Sequence, residues 1–515
     1  MSLALESRPL RWGLALVCSL GLTLLTVLPP MLPGDWARLN ADGIYTPTVT
    51  RYAWPAYGLQ IALWLGILLP VLSLARWTPR VRRRTFSRRA GVIVAFTLLG
   101  FGLRLHHLAQ LPLVIDEIGF AARASDLLHF TPIPIFAPAH NGNPAAFSWL
   151  MAGSMALWGQ TRFAMRLIAL AAGVLTIPAA ARLGDVWWGR KTGWMAAAVV
   201  AVYPAHVHFS QLALYNICDP LLAMMALTAL KIALAPPVPR RDSLLLAGLL
   251  AGVAQGFYHG SRLLILLFGL YLLHTALSRR WNWRIVVRAA FDLAAPFVLI
   301  SLPRFAPLLT GGLPLTGNLE GVRLPPNVWQ NALRSLLAWI GQPDISPFWL
   351  SSQPLLPLAF LVPFLAGCFL CLRRWRQPDS VLLLLMLLLT TLAGGVIWAA
   401  APLYVRYLTA LPAIVLLITR PLSAGGLRRS APLFIGLMLL QGVIVSVQHS
   451  REGLANTRPG LWEADRIAQQ AATLPAGTAL IVSVSADFSA VERITIADWV
   501  AAYGLRRGVR VEQPP

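Results

Sequence analysis

Apolar positions in this chain gather into long unbroken runs, not the three- and four-residue intervals of a surface helix. They occur near 12–33, 54–75, 90–108, 144–158, 167–183, 193–209, 219–235, 243–258, 262–278, 289–303, 354–372, 380–400, 403–420 and 431–448. A bilayer core takes about 20 residues of helix, so the runs predict membrane spans. The first follows Arg8 and Arg11 like a signal peptide, but it is about 22 residues long and lacks a clear small-x-small cleavage site, so it is read as a span. The connectors are basic at 76–89, 182–191, 240–241, 279–288, 373–376 and 420–429. Cytoplasmic loops hold the excess of Arg and Lys, and all six share one side only if even numbers of spans separate them. Three runs lie between 89 and 182. The shortest, 144–158, is therefore assigned to a helix lying along the outer surface. Thirteen spans remain, with the amino terminus inside and the tail after 449 outside.

The tail alone has soluble composition. Leu461–Leu474 reads as an amphipathic helix, Thr478–Ser485 as a strand and Ser489–Tyr503 as a second helix. The expected fold class is thus an all-α polytopic membrane protein with a small α/β C-terminal extramembrane domain. Its parts are two N-terminal spans and a basic loop over 1–89, a transmembrane domain over 90–450, and the appendage over 451–515.

Composition agrees with that division. Of the 515 residues 57% are apolar and 12% charged, which excludes a water-soluble globule. The formal charge of +23 sits in the connectors, so no nucleic-acid partner is expected. Cys18, Cys218, Cys368 and Cys371 are read as core residues without metal. No internal repeat supports an inverted-repeat transporter.

Ionisable residues outside the basic connectors are few. Leu111-Pro-Leu-Val-Ile-Asp116-Glu117 places adjacent carboxylates just past a span, after Arg104, His106 and His107. From the pair alone, a solvated loop or a salt bridge to Arg104 or Arg123 stands beside a functional use. Asp219 opens a span, where an acid also suits the helix dipole. Arg262, Arg304 and Arg406 lie near outer span ends, where snorkelling to headgroups is the plain alternative.

Several segments then follow in a familiar order. They are the Asp116-Glu117 loop, His140-Asn-Gly-Asn143-Pro144, Gly159-Gln-Thr-Arg162-Phe-Ala-Met-Arg166-Leu, and His208-Phe-Ser-Gln211 through Tyr215 to Asp219. Gly252–Gly256 with Tyr258 and Ser261-Arg262-Leu comes next, then Tyr404-Val-Arg406-Tyr-Leu-Thr-Ala-Leu-Pro412. Over about 90–450 the chain resembles the GT-C glycosyltransferases of the protein O-mannosyltransferase and lipid A aminoarabinose transferase type. It departs from them at Gln211, where the family has a basic residue, at the neutral Asn residues before Pro144, and in its two extra N-terminal spans.

The resemblance implies a GT-C fold in the inner membrane and inverting transfer of a sugar from a polyprenyl-phosphate donor to an acceptor hydroxyl on the outer face. The acceptor is a lipid, glycan or protein, and membrane lipid surrounds the enzyme. It implies Asp116 as base, Glu117 as second acid and Asp219 facing the same cavity. Guanidinium groups suit a phosphate because they give permanently charged, bidentate hydrogen bonds, so Arg262, Arg304 and Arg406 are expected to hold it. His140, Asn143, Tyr258, His259 and Tyr404 are expected to line the cavity. No cofactor is required; a divalent cation at Asp116, Glu117 and Asp219 is allowed for, though no spacing demands one. The competing reading is a polytopic carrier or lipid flippase, whose ionisable residues would sit at mid-membrane.

Overall fold

The structure, a computed structural model, describes residues 8–27, 47–75, 88–128, 144–309, 327–393 apart from 345, 347 and 350, and 402–455, with short stretches of the tail. Within the described residues, each apolar run falls mainly on helix. The first three are α1 (Arg8–Val27), α2 (Pro47–Leu74) and α3 (Arg88–Leu105). Two helices occupy the connection after α3: α4 (Ile115–Leu128), unforeseen because polar residues interrupt it, and α5 (Ala146–Trp158). The chain continues through α6 (Arg162–Trp188), α7 (Arg190–Val202), short α8 (Pro204–Phe209), α9 (Cys218–Leu234), α10 (Arg241–Ala254), α11 (Arg262–Ser278) and α12 (Trp283–Leu309). A further connector helix, α13 (Val328–Leu337), precedes α14 (Leu358–Arg373), α15 (Pro378–Thr391), one-turn α16 (Tyr404–Tyr407), α17 (Leu411–Ala424) and α18 (Ala431–Ala455).

Among the described residues six helical segments are long and apolar enough to cross a membrane: 162–188, 215–234, 259–278, 283–305, 404–424 and 431–455. Other apolar helices are shorter. The 13 residues of α5 reach about 20 Å at 1.5 Å each, two thirds of a bilayer core. In the tail, Ala479–Ile481 forms a strand paired parallel with Arg510–Glu512. Both tail helices expected from the sequence lie outside the described residues.

Burial sorts the helices. Leu411–Leu422 of α17 is buried at every position, so α17 is the hub. At the periphery, α1 and α2 pack antiparallel, with Cys18 against Gly66 and Gly21 against Leu63, while Val17, Leu24, Leu59 and Leu69 are exposed. Apolar tails reward no helix contact for hydrophobicity, so close approach through small residues has to hold the bundle. Gly248 and Gly252, one turn apart on α10, supply it: a Cβ at Gly248 would overlap the carbonyl oxygen of Leu293, and one at Gly252 would press on Ile300 of α12.

Successive reversals leave helix ends at two levels. At one, Arg89 pairs with Asp185, Arg420 covers the ring of Trp188, Lys231 bonds Asp379 and Arg279 reaches the carbonyls of Leu234 and Pro236. These belong to the basic connectors. The other level gathers the start of α4, α6, α9, α11 and α16 with the ends of α10 and α12.

Candidate active site

The loop after α3 turns inward through Leu108–Val114, and Asp116 and Glu117 form the first turn of α4. Successive helical residues point about 100° apart, so the two carboxylates part company. Glu117 is fully buried against equally buried Arg166. Arg166 Nε donates to Glu117 Oε1 at 2.8 Å and Nη2 to Oε2 at 2.7 Å. Its other N–H groups reach the carbonyl oxygens of Leu108, Leu111 and Pro112 at 2.7, 3.0 and 2.9 Å. Glu117 also accepts from Val114 N at 3.0 Å and Ala213 N at 2.6 Å. Glu117 was expected to act as a second catalytic acid. The geometry makes it the fastener of the loop instead, its oxygens fully engaged and closed to substrate. Neither Arg104 nor Arg123 is its partner.

Arg104 is buried as well, but on carbonyls. It donates to the oxygens of Gly100, Val200 and Ala201 at 2.8, 2.9 and 3.0 Å and to Ser210 Oγ at 3.2 Å. Its Nη2 lies 2.7 Å from His206 Nδ1. An arginine only donates, so His206 accepts at Nδ1 and is the Nε2–H tautomer. Gln211, standing where the family carries a basic residue, donates to the carbonyls of Leu103 and His106 at 3.2 and 2.6 Å. It ties the end of α3 to the chain before α9.

Asp116, in contrast, is half-buried, as are Tyr258, His259, Arg262, Arg304 and Arg406. His259 stands within electrostatic reach of all three arginines, and Arg304 within reach of Arg262. Arg406 feels Tyr258, Tyr215, Asp344 and Asp116. Tyr258 stands within electrostatic reach of Arg406 and Asp219. A row of rings leads into this basin from α5 and α4: Phe147 to Phe120 at 5.6 Å, Phe120 to Tyr215 at 4.6 Å, and Tyr215 to Tyr258 at 5.3 Å.

Asp219 lies under the basin. Its Oδ2 accepts from Thr409 Oγ1 at 3.2 Å. Fully buried, it lies between the segment carrying Arg406 and Gly260 of the His259–Ser261 turn. A Cβ on Gly260 would overlap Thr409 Oγ1 and approach Asp219 Oδ2 to 2.9 Å, so the turn fits only with glycine there.

Tyr404 was expected in the cavity lining. It is buried, and its hydroxyl donates to the carbonyl of Gln342. Its backbone N–H donates to Asp344 Oδ2 at 2.7 Å, while Asp344 Oδ1 accepts from Ser346 N at 2.6 Å. Tyr407 Oη donates to Ser335 O at 3.0 Å. Arg406 therefore projects between two tyrosines that anchor the 328–349 segment. Sequence reading missed Asp344, although it is the sole acidic residue between Glu320 and Asp379. Burial pushes its carboxyl up to about 6 against the opposing pull of Ser346, Tyr404 and Arg406. His140 and Asn143 lie outside the described residues. Among the described residues no three His, Cys, Asp or Glu side chains group as metal ligands.

Comparison with known proteins bears on the fold. Residues 142–302 match the family model of dolichyl-phosphate-mannose-protein mannosyltransferase. The fold is similar to that of ArnT from Cupriavidus metallidurans in the apo state, with TM-score 0.57, 14% identity and coverage of 82% of this chain and 86% of that one. ArnT bound to undecaprenyl phosphate gives TM-score 0.54 at the same identity and coverages. The Archaeoglobus fulgidus oligosaccharyltransferase in complex with Zn and sulfate gives 0.51 and 14%, covering 82% of this chain and 62% of that one. No curated protein matches by sequence. The class is thereby defined: a membrane protein of the GT-C fold. Its fold is similar to that of ArnT, and residues 142–302 carry the segment that the mannosyltransferase family model matches.

Proposed function

We propose that this protein transfers a sugar from a polyprenyl-phosphate donor to an acceptor hydroxyl in one inverting displacement, on the outer face of the inner membrane. The observation that carries the reading is the convergence of Arg262, Arg304 and Arg406 around His259, with half-buried Asp116 facing the same basin. Three guanidinium groups grouped at a membrane boundary repel one another, and an anionic phosphate relieves that repulsion. The undecaprenyl phosphate bound to ArnT supports a ligand of this kind. Sidedness is supported by the basic connectors, all at the helix level opposite the basin.

In the proposed reaction Asp116 accepts the proton of the acceptor hydroxyl as its oxygen attacks the anomeric carbon. The bond from that carbon to the phosphate oxygen breaks, and its electron pair leaves with the polyprenyl phosphate. Charge grows on the leaving oxygens, so arginines that bind the phosphate in the ground state bind it more strongly in the transition state. Inversion needs a single displacement and hence no enzymic nucleophile. Side chains supply both base and cations, so we assign the reaction no cofactor and no required divalent cation. The test is turnover of purified Asp116→Asn with a polyprenyl-phosphate sugar, beside donor affinity. Lost turnover with donor affinity retained is expected; full turnover would remove Asp116 as base.

A further inference from the structure

Two of the helices that frame the basin, α10 and α12, also line a cavity at their opposite ends, beside the connector that follows α9. α9 runs from Asp219 toward it, α10 returns from it toward Tyr258, and α12 leaves it toward Arg304. The 17 residues of α9 set the two about 25 Å apart at 1.5 Å per residue. The cavity encloses about 340 Å³ and is lined by Arg241, Arg284, Arg288 and Asp292 over an apolar floor that includes Leu244 and Ala289. Arg241 Nε donates to Asp292 Oδ1 at 2.9 Å, and Asp292 is buried, so that guanidinium is held in place. Arg240 pairs with Asp242 just outside. Three arginines and one carboxylate leave the cavity with a surplus of two positive charges.

Spacing on α12 extends the argument. Arg284, Arg288 and Asp292 recur every fourth residue on one face, and Trp283, Val287 and Phe291 do the same on the adjoining face, where all three are exposed. An interfacial tryptophan followed by an apolar stripe is what acyl chains contact. α1 runs parallel to α12, with Trp12 against Phe291 and Ser19 Oγ bonded to Leu299 O. Arg11 therefore stands near the level of Arg288 and adds to the positive field.

We infer that this cavity binds the phosphate headgroup of an anionic glycerophospholipid from the leaflet at that end, with the acyl chains lying along Trp283, Val287 and Phe291. A concave pocket with one guanidinium held by a buried carboxylate and an apolar strip leading from it distinguishes such a site from arginines that merely snorkel to headgroups. The site is separate from the basin and does not depend on the function assigned there.

Native mass spectrometry of the purified full-length protein, titrated with phosphatidylglycerol or with phosphatidylcholine of the same chains, tests the inference. Phosphatidylglycerol should be retained preferentially. Arg284→Gln with Arg288→Gln should weaken its retention by roughly 30-fold, the contribution expected of two basic residues facing anionic lipid. Val238→Glu, at the exposed rim, should also weaken it without touching the core. The control Arg373→Gln with Arg374→Gln, in another basic connector, should leave retention unchanged. Equal retention of both lipids would overturn the inference, as would equal loss in the control. Displacement of phosphatidylglycerol by inorganic phosphate at equal concentration would overturn it too, by showing a site for the free ion.

Discussion

Two carboxylates one residue apart meet opposite environments. Glu117 lies beneath α4 in a sealed clamp, with Arg166 and two backbone amides exhausting its oxygens. Asp116 stands above it in a half-open basin facing Arg406. Under the proposed reaction the same functional group serves stability in one place and chemistry in the other. What differs between the two is burial: Glu117 is closed off, and Asp116 is half-buried at the basin.

Asp116→Asn should break this contrast most sharply. It keeps shape and hydrogen bonding but cannot accept a proton, and losing a positioned general base lowers rate by roughly 10² to 10⁴. Steady-state turnover should fall by that amount while the melting temperature in detergent stays unchanged. Glu117→Gln should do the reverse. Arg166 would be left buried without a counter-charge, which costs about 3–5 kcal/mol, so the melting temperature should drop steeply. The fraction still folded should turn over at nearly the wild-type rate; a dead but fully stable Glu117→Gln would exchange the two assignments.

Arg406→Ala should weaken donor binding roughly tenfold to a hundredfold, the range for a hydrogen bond to a charged group, and should slow transfer as well. Equilibrium binding of a non-hydrolysable donor separates these effects, and unchanged values in both would take Arg406 out of the site.

The smallest effect concerns Asp344, whose carboxyl is pushed up to about 6. Between the ordinary carboxylate value near 3.8 and 6 the folded protein holds a proton that the unfolded chain has released, so stability falls as pH rises through that window. As pH falls through 6 the negative charge beside Arg406 disappears, and the phosphodiester donor should bind severalfold more tightly. Asp344→Asn should flatten both trends. A donor affinity that follows pH identically in wild type and Asp344→Asn would show that another group sets it.

The helices were legible because lipid demands continuous apolar runs, and the described part of each run is mainly helix. Two helices escaped. α4 and α13 carry polar residues where they meet the basin and the loops, so neither presents a span-like run. The arginine cluster was also legible, since guanidinium groups at one level of a bundle have few uses. The burial of Glu117 was not legible because its partner is 49 residues away, and adjacency to Asp116 says nothing about which carboxylate turns inward. The hydrogen bonds of Asp219 with Thr409 and of Tyr404 with Gln342 were equally invisible. Pairings of that kind are tertiary, and no local pattern encodes them.

The distance between Glu117 and Arg166 also bears on how the protein is made. A ribosome adding about 5–20 residues per second needs roughly 2 to 10 s to span those 49 residues. Throughout that interval Glu117 has been synthesised and its cation has not. Segment 108–117 therefore has to wait at the bilayer boundary, in contact with water or the insertion machinery, until the first turn of α6 emerges. Ala213, which donates to the same carboxylate, arrives later still. Assembly of the basin's floor is thus timed by translation, and slowing synthesis between residues 117 and 166 would lengthen the exposure of an uncompensated charge.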